Sequence, residues 1–477
     1  MAAVERLYSA KLFRSTNYTV RIVSFSHSYS LPSLVFITPM STVDQTRHLQ
    51  ELSDVDEKPY LFTKPGGDVT HAARTTSGFT RVGWMTVTGS WMIMFSTFGY
   101  LYAFGVYQDY YTRVFLLNHS PSTIAWIGSF QLAMPFFCGI AAGKLYDAGY
   151  FHTMEVFGSA LFVFSIFMLS LAKPLHYYQI FLSQGVGMGI GAGFTFTPTL
   201  SNISHQFYEI KALAGGIILS GTSAGALVFP IMLNHLIPPI GFGKAVRASA
   251  YIVLGFLVMG NCLIRRSARN VSSTDAAPLD IKSFFVDPPY ILFIFGVLIA
   301  LTGLYLPLIY IQLYAIEHGI DPTLAFYSIA IINGVSGIGR VAVNFFADVY
   351  GPFNVLIPVT VIAGACVFLL LAVHNAVSLV VISVFYGFFS GAWLSVALAC
   401  LGALSRSPAE VGARTGLTLA IASFGLLGSA PIQGALLGSD FIWWKPAIFS
   451  GTLMLVSAAV DVTIRQVLIR EKGTHKV

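Results

Sequence analysis

The sequence predicts an all-α polytopic membrane protein, and three observations carry that expectation. Between Gly83 and Arg465 one apolar stretch follows another, about twelve in all. Each is close to the roughly 20 residues that cover a hydrocarbon core about 30 Å thick. The stretches 157–172, 291–311 and 355–373 show no period-two alternation. That argues against a closed barrel and leaves helices as the structures that satisfy their own backbone in lipid. Composition agrees: 55% of the 477 residues are hydrophobic and 10% charged, against about 25% charged in ordinary soluble domains.

Residues 1–80 are polar, with Ser, Thr, Pro, Gly and mixed charge and no long apolar run. A mostly disordered cytoplasmic tail is expected there. Residues 1–39 carry Arg6, Lys11, Arg14 and Arg21 against Glu5 alone, a composition that resembles a transit peptide. The alternative is a start at Met40, which opens an acidic tail with Glu51, Asp54, Asp56 and Glu57. Six spans are then expected at 83–107, 122–142, 153–172, 177–200, 212–236 and 246–264, an N-terminal bundle over 81–264. The break at 265–288, containing Arg265-Arg266, Ser272-Ser273-Thr274 and Pro278, reads as a central cytoplasmic linker. Six further spans at 289–312, 324–345, 354–373, 377–403, 413–437 and 444–465 form a C-terminal bundle over 289–465, with 466–477 as a short tail.

Charge sets the orientation. With both ends of the chain inside, the inner loops collect Lys144, Lys211, Arg265, Arg266, Arg269, Lys282, Arg340, Arg406, Arg414, Arg465, Arg470, Lys472 and Lys476. The outer loops hold Arg113, Lys173, Lys244, Arg247 and Lys445. That asymmetry follows the positive-inside rule and puts both termini in the cytoplasm, most simply at the plasma membrane. The net charge of +6 is spread through loops and not gathered into a patch, which argues against a nucleic-acid partner. Cys138, Cys262, Cys366 and Cys400 all fall inside spans, too far apart for a metal motif, and read as packing residues.

Six spans on each side of a linker predict an internal duplication. The loop after span two reads Gly143-Lys144-Leu145-Tyr146-Asp147-Ala148-Gly149, and the loop after span eight runs from Gly339 to Gly351 and includes Asp348. Both place an Asp just past a span end with a Gly close behind, and the two aspartates are 201 residues apart. A Gly lets the chain reverse at a helix end, and an Asp there caps a helix or pairs with a neighbouring base. The pair predicts two pseudo-symmetric six-helix bundles.

These paired loops resemble the signature of the major facilitator superfamily, in which Asn344 through Gly351 stands at the family's Gly-x-Leu-Ala-Asp-x-x-Gly. The N-terminal copy departs, with its Gly one place early and no following basic pair. The segment from Phe207 to Gly216, running on to Gly221 and Gly225, is similar to the fifth-span motif of monocarboxylate porters. Gly83-Trp84 followed by residues 98–107 looks like the first span of fungal members of that group. The resemblance covers about residues 77–465 and implies a twelve-helix secondary transporter of a small organic, monocarboxylate-like solute, working by alternating access without a cofactor. An exporter of a specialised metabolite and a transporter-shaped nutrient receptor are the alternatives.

The resemblance places Arg340 at the eighth-span arginine that holds a substrate carboxylate. A guanidinium suits that task because its planar fork never loses its charge. The bland alternative is a residue near the inner face pairing with Asp147 or Asp348. Animal porters carry an Asp four residues earlier and a Lys late in span one; this chain has Ser336 and Val106 there. Proton coupling and lactate-like substrates therefore do not transfer, and a coupled proton stays open. Tyr100, Tyr102 and Tyr107 in span one, with Tyr305 and Tyr310 in span seven, are candidates to line a cavity for a larger or aromatic solute. Interface anchoring is the alternative, preferred for Tyr107 and Tyr310. Gln131, Gln184, Asn333 and Trp393 are further polar or stacking candidates, each weighed against helix packing.

Span four alternates Gly185, Gly187, Gly189, Gly191 and Gly193, and span five adds Gly216, Gly221 and Gly225. Small residues let backbones approach in lipid, and smooth faces suit two bundles that rock; static packing is the other reading. Asp147, Asp348, Gly143, Gly351, Gly221 and Gly225 are accordingly the expected conformational residues. Gly221-Thr222-Ser223-Ala224-Gly225 satisfies Gly-x-Ser-x-Gly but lies inside an expected helix, away from the strand-turn-helix setting of a nucleophile elbow. No enzyme activity is expected. Asn118-His119-Ser120 is a glycosylation sequon in the first outer loop, whereas those at Asn202 and Asn270 fall at or near the inner face.

Overall fold

The computed structural model describes residues 18–22, 35–39, 81–207, 210–265, 281–405, 410–438 and 440–477. The chain divides into two units, Met1–Thr75 and Thr76–Val477. In the first, β1 (Tyr18–Ile22) pairs antiparallel with β2 (Val35–Pro39), Val20 opposite Ile37. Their Val, Ile, Thr and aromatic content suits a paired strand. The second start at Met40, the acidic tail and residues 266–280 of the linker lie outside the described residues.

The second unit is a bundle of twelve helical spans. The first half comprises α1 (Arg81–Ser96, Phe98–Leu101 and Phe104–Tyr110, then the π-turn Tyr111–Phe115), α2 (Pro121–Phe137 and Gly139–Asp147) and α3 (Phe151–Ser170). It continues with α4 (Tyr177–Ile180, the π-turn Phe181–Gly187, then Met188–Gln206), α5 (Lys211–Ile240) and α6 (Phe242–Leu263). A 3-10 turn, Ile281–Val286, leads into the second half. That half comprises α7 (Pro288–Leu304 and Leu306–Glu317), α8 (Pro322–Tyr350), α9 (Pro352–Leu369), α10 (Ala376–Leu404), α11 (Val411–Leu437) and α12 (Trp444–Lys472). Among the described residues ten of these are long and apolar enough to span a bilayer. The two others, α1 and α4, are interrupted by turns and π-segments. The first span also runs on past the expected end at Tyr107, because Tyr107, Tyr111 and Phe115 recur every four residues and are all buried.

Packing repeats between the halves. In the first, α1 lies on α5 and α6, α3 on α4 and α6, and α2 on α4. In the second, α7 lies on α11 and α12, α9 on α10 and α12, and α8 on α10, the same pattern six helices later. Two seams join the halves, α5 with α8 and α2 with α11, and they exchange under the same shift. Finer detail follows the repeat. Gly149 and Gly351, which turn α2 into α3 and α8 into α9, both have φ of +101°, a conformation that needs glycine. Asn261 of α6 donates to Ser159 of α3 at 2.9 Å.

Arg265 N at the end of α6 donates to Thr86 Oγ1 near the start of α1, so both ends of the first half share one face of the bundle. The even number of spans brings Lys472 to that face too, where its Nζ reaches Ala403 O. We call it the terminal face. Around the middle of the unit, large apolar side chains such as Phe164, Tyr251, Phe385 and Leu455 point outward, as a lipid-facing belt requires.

Candidate functional site: a cavity between the halves

Two of the helices that meet at the centre are broken at equivalent places. Tyr102 ends one segment of α1 with φ −70° and ψ −8°, and Tyr305 ends the first segment of α7 with φ −80° and ψ −3°. In α7 the cause is Pro307, which has no N–H to give Gly303 and stops the ladder there. The carbonyls freed near the break are taken by side chains: Thr302 O by Ser429 Oγ at 3.0 Å and Gln433 Nε2 at 2.9 Å, and Leu304 O by the Tyr386 hydroxyl. In α1 the backbone tightens into short turns, with Ala103 N on Tyr100 O at 3.0 Å, and Gly99 and Gly105 weaken the helix on either side. Tyr102 and Tyr305 thereby face each other across the seam, their hydroxyls 3.4 Å apart.

Beside this pair lies a cavity of about 70 Å³. The first half contributes Phe98, Tyr102, Phe136, Phe196, Leu219 and Thr222, and the second contributes Phe293, Tyr305, Arg340, Trp393, Thr418 and several aliphatic residues. Its walls are chiefly aromatic: Phe196 sits 4.5 Å from Phe98 and 5.6 Å from Phe136 between ring centroids. Arg340 is 6% exposed, and its Nε has no hydrogen-bond partner. Among the described residues it makes no ion pair, and none of the residues lining the cavity is acidic. Solute sites of drug-sized ligands run to about 300–1,000 Å³, so the cavity is contracted and must widen to admit one.

The terminal side of both seams is closed. In the α5–α8 seam, Asp348 accepts the backbone N–H groups of Ala212 at 3.0 Å and Leu213 at 2.8 Å, capping the N-terminus of α5 from the other half. Further in, a Cβ on Gly216 would overlap Arg340 O, and Ser223 and Ser336 share a hydrogen bond of 2.7 Å. In the α2–α11 seam, a Cβ on Gly143 would lie 2.7 Å from Gly412 O, and Gly139 and Gly416 pack backbone to backbone. Between the halves at the terminal face, a vestibule of about 480 Å³ is lined by Lys211, Asp348, Thr415 and Lys472 among others.

The sequence-derived candidates separate cleanly. Arg340, Tyr102, Tyr305 and Trp393 share the cavity. Gln184 and Asn333 do not line it: Gln184 Oε1 takes the Tyr111 hydroxyl at 2.6 Å, and Asn333 Nδ2 caps Ile329 O at 3.0 Å within α8. Gln131 is also buried away from it, in α2. Tyr107 corrects the expected interfacial role. It is fully buried, 2.5 Å from the Tyr100 hydroxyl, which in turn lies 2.8 Å from Ser249 Oγ. Asp348 is occupied by α5 and does not pair with Arg340; the side chain of Asp147 lies outside the described residues.

Gly221 and Gly225 are placed inside the first half, not between the halves. Their Cβ positions overlap Trp91 O and Phe95 O of α1. The opposite face of α5, with Gly216, Ser220 and Ser223 at helical spacing, meets α8 and Trp91. Gly425 repeats the first contact against Leu298 O of α7. Ser223, the centre of the Gly-x-Ser-x-Gly match, sits in the middle of a helix with its hydroxyl engaged by Ser336. Asn118 is exposed in the turn between α1 and α2, at the end of the bundle away from the terminal face, while Asn202 is fully buried.

Four buried charged residues, Arg414, Asp287, Glu155 and Asp461, escaped the sequence reading. Arg414, counted there among loop charges, is 2% exposed, with Nη1 on Asp287 at 2.7 Å and Nε on Glu410 at 2.9 Å. The Glu410–Arg414 spacing of four was the available signal. Glu155 in α3 accepts Thr199 Oγ1 at 2.7 Å, and Asp461 lies buried in α12. Both acids stood visibly inside apolar spans, where an ionisable group is a functional candidate by default.

Two pseudo-symmetric six-helix halves around a central contracted cavity define a secondary transporter of the alternating-access type. A family profile for the Major Facilitator Superfamily matches residues 85–403, and the chain belongs to that family. It is 37% identical over 382 residues to the MFS-type transporter dbaD of Emericella nidulans, covering 80% of this chain and 85% of that one. It is 34% identical to the aspyridones efflux protein apdF of the same organism, covering 82% and 79%. The agnestins efflux protein AgnL12 of Paecilomyces divaricatus is 33% identical, covering 88% and 96%. In fold it is similar to the major facilitator transporter FucP crystallised in an outward conformation, with a TM-score of 0.62, 14% identity and coverage of 80% and 98%. The chain is a multi-pass membrane transporter of small solutes.

Proposed function

We propose that this transporter exports a small organic acid with a largely apolar body, by alternating access between the two halves. Arg340 carries the reading. A buried guanidinium without an acid partner is costly in a membrane protein. Its natural counter-charge is a group that arrives with the solute. The aromatic walls suit an apolar body behind that group. The aspyridones and agnestins efflux relatives support export as the direction.

By the positive-inside rule the terminal face is cytoplasmic, with Lys211, Arg265, Lys282, Arg470, Lys472 and Lys476 on it, and the plasma membrane is the expected site. In the state described here both seams are packed shut on that side, and the vestibule beside them shares Leu219 and Leu398 with the cavity. Asp348 with Gly351, Asp147 with Gly143, and Gly216 are the groups that release or close that side. Gly221 and Gly225 keep α1 and α5 moving as one body. With no acid among the described cavity residues, a coupled proton would travel on the solute's own acid group or on a site elsewhere.

The test compares secreted metabolites from cells making the wild type, Arg340→Ala or no transporter, at equal surface abundance. The reading expects a set of organic acids to vanish from the medium with Arg340→Ala and to accumulate inside. An unchanged profile removes Arg340 from the site.

A further inference from the structure

A second unsatisfied donor shares the cavity with Arg340. Trp393 of α10 is 2% exposed and lines the same space, and its indole Nε1 has no hydrogen-bond partner. Buried donors in folded proteins are nearly always paired, so each orphan requires an explanation. The contrast with Trp91 is direct: that indole stands beside the α5 seam and donates to Ser220 Oγ at 3.1 Å. Leaving such a group dry and unpaired in the resting state is unfavourable. The cost is recovered only when something with an acceptor enters.

The placement of the two donors is fixed by the packing of α8 on α10. A Cβ on Gly339 would overlap Phe388 O, Gly391 lies against Ser336, and Asn344 Nδ2 donates to Ser395 Oγ at 2.6 Å. Arg340 and Trp393 sit between these contacts, one on each helix. Both belong to the second half, so their relative position survives any rocking of the halves. The facing wall, Phe98, Phe136 and Phe196, belongs to the first half and moves against them.

Resting on the export reading above, we infer that the indole N–H of Trp393 is the second donor to the solute's acid group, and that the site takes planar aromatic acids presenting two acceptor oxygens. One oxygen is met by the guanidinium and the other by the indole. The acid group travels with the second half, and the aromatic body is gripped by the phenylalanines of the first. A planar body fits because rings stack offset or edge-on against such walls. A neutral ester of the same body keeps the wall contacts and loses the charge that the guanidinium meets.

The experiment measures binding of 2-naphthoate and of methyl 2-naphthoate to the purified full chain, for the wild type, Trp393→Phe and Arg340→Gln. The preference for acid over ester is the readout, so a general loss of packing around the smaller phenyl ring cancels. Because a hydrogen bond to a charged group contributes about tenfold to a hundredfold, Trp393→Phe is expected to cut the preference about tenfold, and Arg340→Gln more. Unchanged melting temperatures and retained ester binding establish that the variants are folded. If Arg340→Gln abolishes the preference while Trp393→Phe leaves it within twofold, the role of Trp393 is overturned and the export reading stands. If neither variant alters it, both fall. A wild type that binds acid no better than ester overturns the class of ligand.

Discussion

Replacing Asp348 by Ala removes a carboxylate that ties the two halves together at the terminal face. It accepts two backbone N–H groups from the first turn of α5, at 3.0 and 2.8 Å. A hydrogen bond to a charged acceptor contributes about 1.5–3 kcal/mol when buried. A carboxylate at a helix N-terminus adds a few tenths to about 1 kcal/mol. Asp348 is only partly buried, so solvent takes part of this back. The whole latch then contributes about 2 kcal/mol. When the terminal face opens, those N–H groups meet water and the energy is lost. Asp348→Ala should therefore raise the open population about thirtyfold, at 1.4 kcal/mol per factor of ten. The assay uses Ala397→Cys, which lines the cavity, in a background with the four native cysteines replaced. An impermeant thiol reagent is added from the terminal face. While the closed state predominates, the modification rate follows the open population, so the full factor is read even if that population is small. Asp348→Asn, keeping one acceptor oxygen, should fall in between. A rate within twofold of the parent, or a slower one, would refute the latch.

Three further outcomes follow from the same geometry. Gly216→Ala puts a methyl into Arg340 O across the α5–α8 seam; overpacking of this kind costs about 1–3 kcal/mol, so the same thiol assay should speed up several-fold or more. Arg414→Met leaves Asp287 and Glu410 facing each other without their cation. Breaking a buried pair costs about 3–5 kcal/mol, which a clear fall in melting temperature should report, and adding Asp287→Asn and Glu410→Gln should recover much of it. Asn118→Gln should abolish a glycosidase-sensitive shift in electrophoretic mobility when the chain is made in a eukaryotic cell; a wild type showing no such shift would remove the sequon as support for the assigned orientation.

What the sequence disclosed, and what it withheld, divides along a physical line. Hydropathy is a property of each residue against one solvent, so the spans could be read from composition alone, and the repeat of Asp147 and Asp348 exposed the duplication. Which face of a helix meets which neighbour is a property of pairs. On α5, Gly216, Gly221 and Gly225 look alike as letters, yet Gly216 lies under Arg340 O while the others lie under α1. A rotation of roughly 100° per residue assigns them to different jobs. Tyr107 was misplaced for a related reason: an aromatic near the end of an apolar run marks the interface only if the helix stops there, and α1 continues to Phe115.

Arg340 was legible because charge in an apolar span is conspicuous whatever it touches. The role proposed for it rests on what is not there. The cavity's acid is missing from the described lining, and Ser336, which occupies the place of the acid expected from the porter resemblance, is turned to Ser223 in the opposite half. An aspartate at that point would pair with the arginine only by giving up this seam contact and burying a second charge. In this chain the seam is uncharged hydroxyl to hydroxyl, and among the described residues the cation has no counter-ion. On the export reading, the two halves therefore close on an empty cavity only by carrying the cost of an unpaired guanidinium, a cost that an acidic solute removes. Binding the solute and stabilising the contracted state are then one event. A transporter built this way should cross its contracted state faster loaded than empty, so exchange of labelled for unlabelled solute across vesicles should outpace net efflux. Equal rates would show that Arg340 finds its counter-charge within the protein.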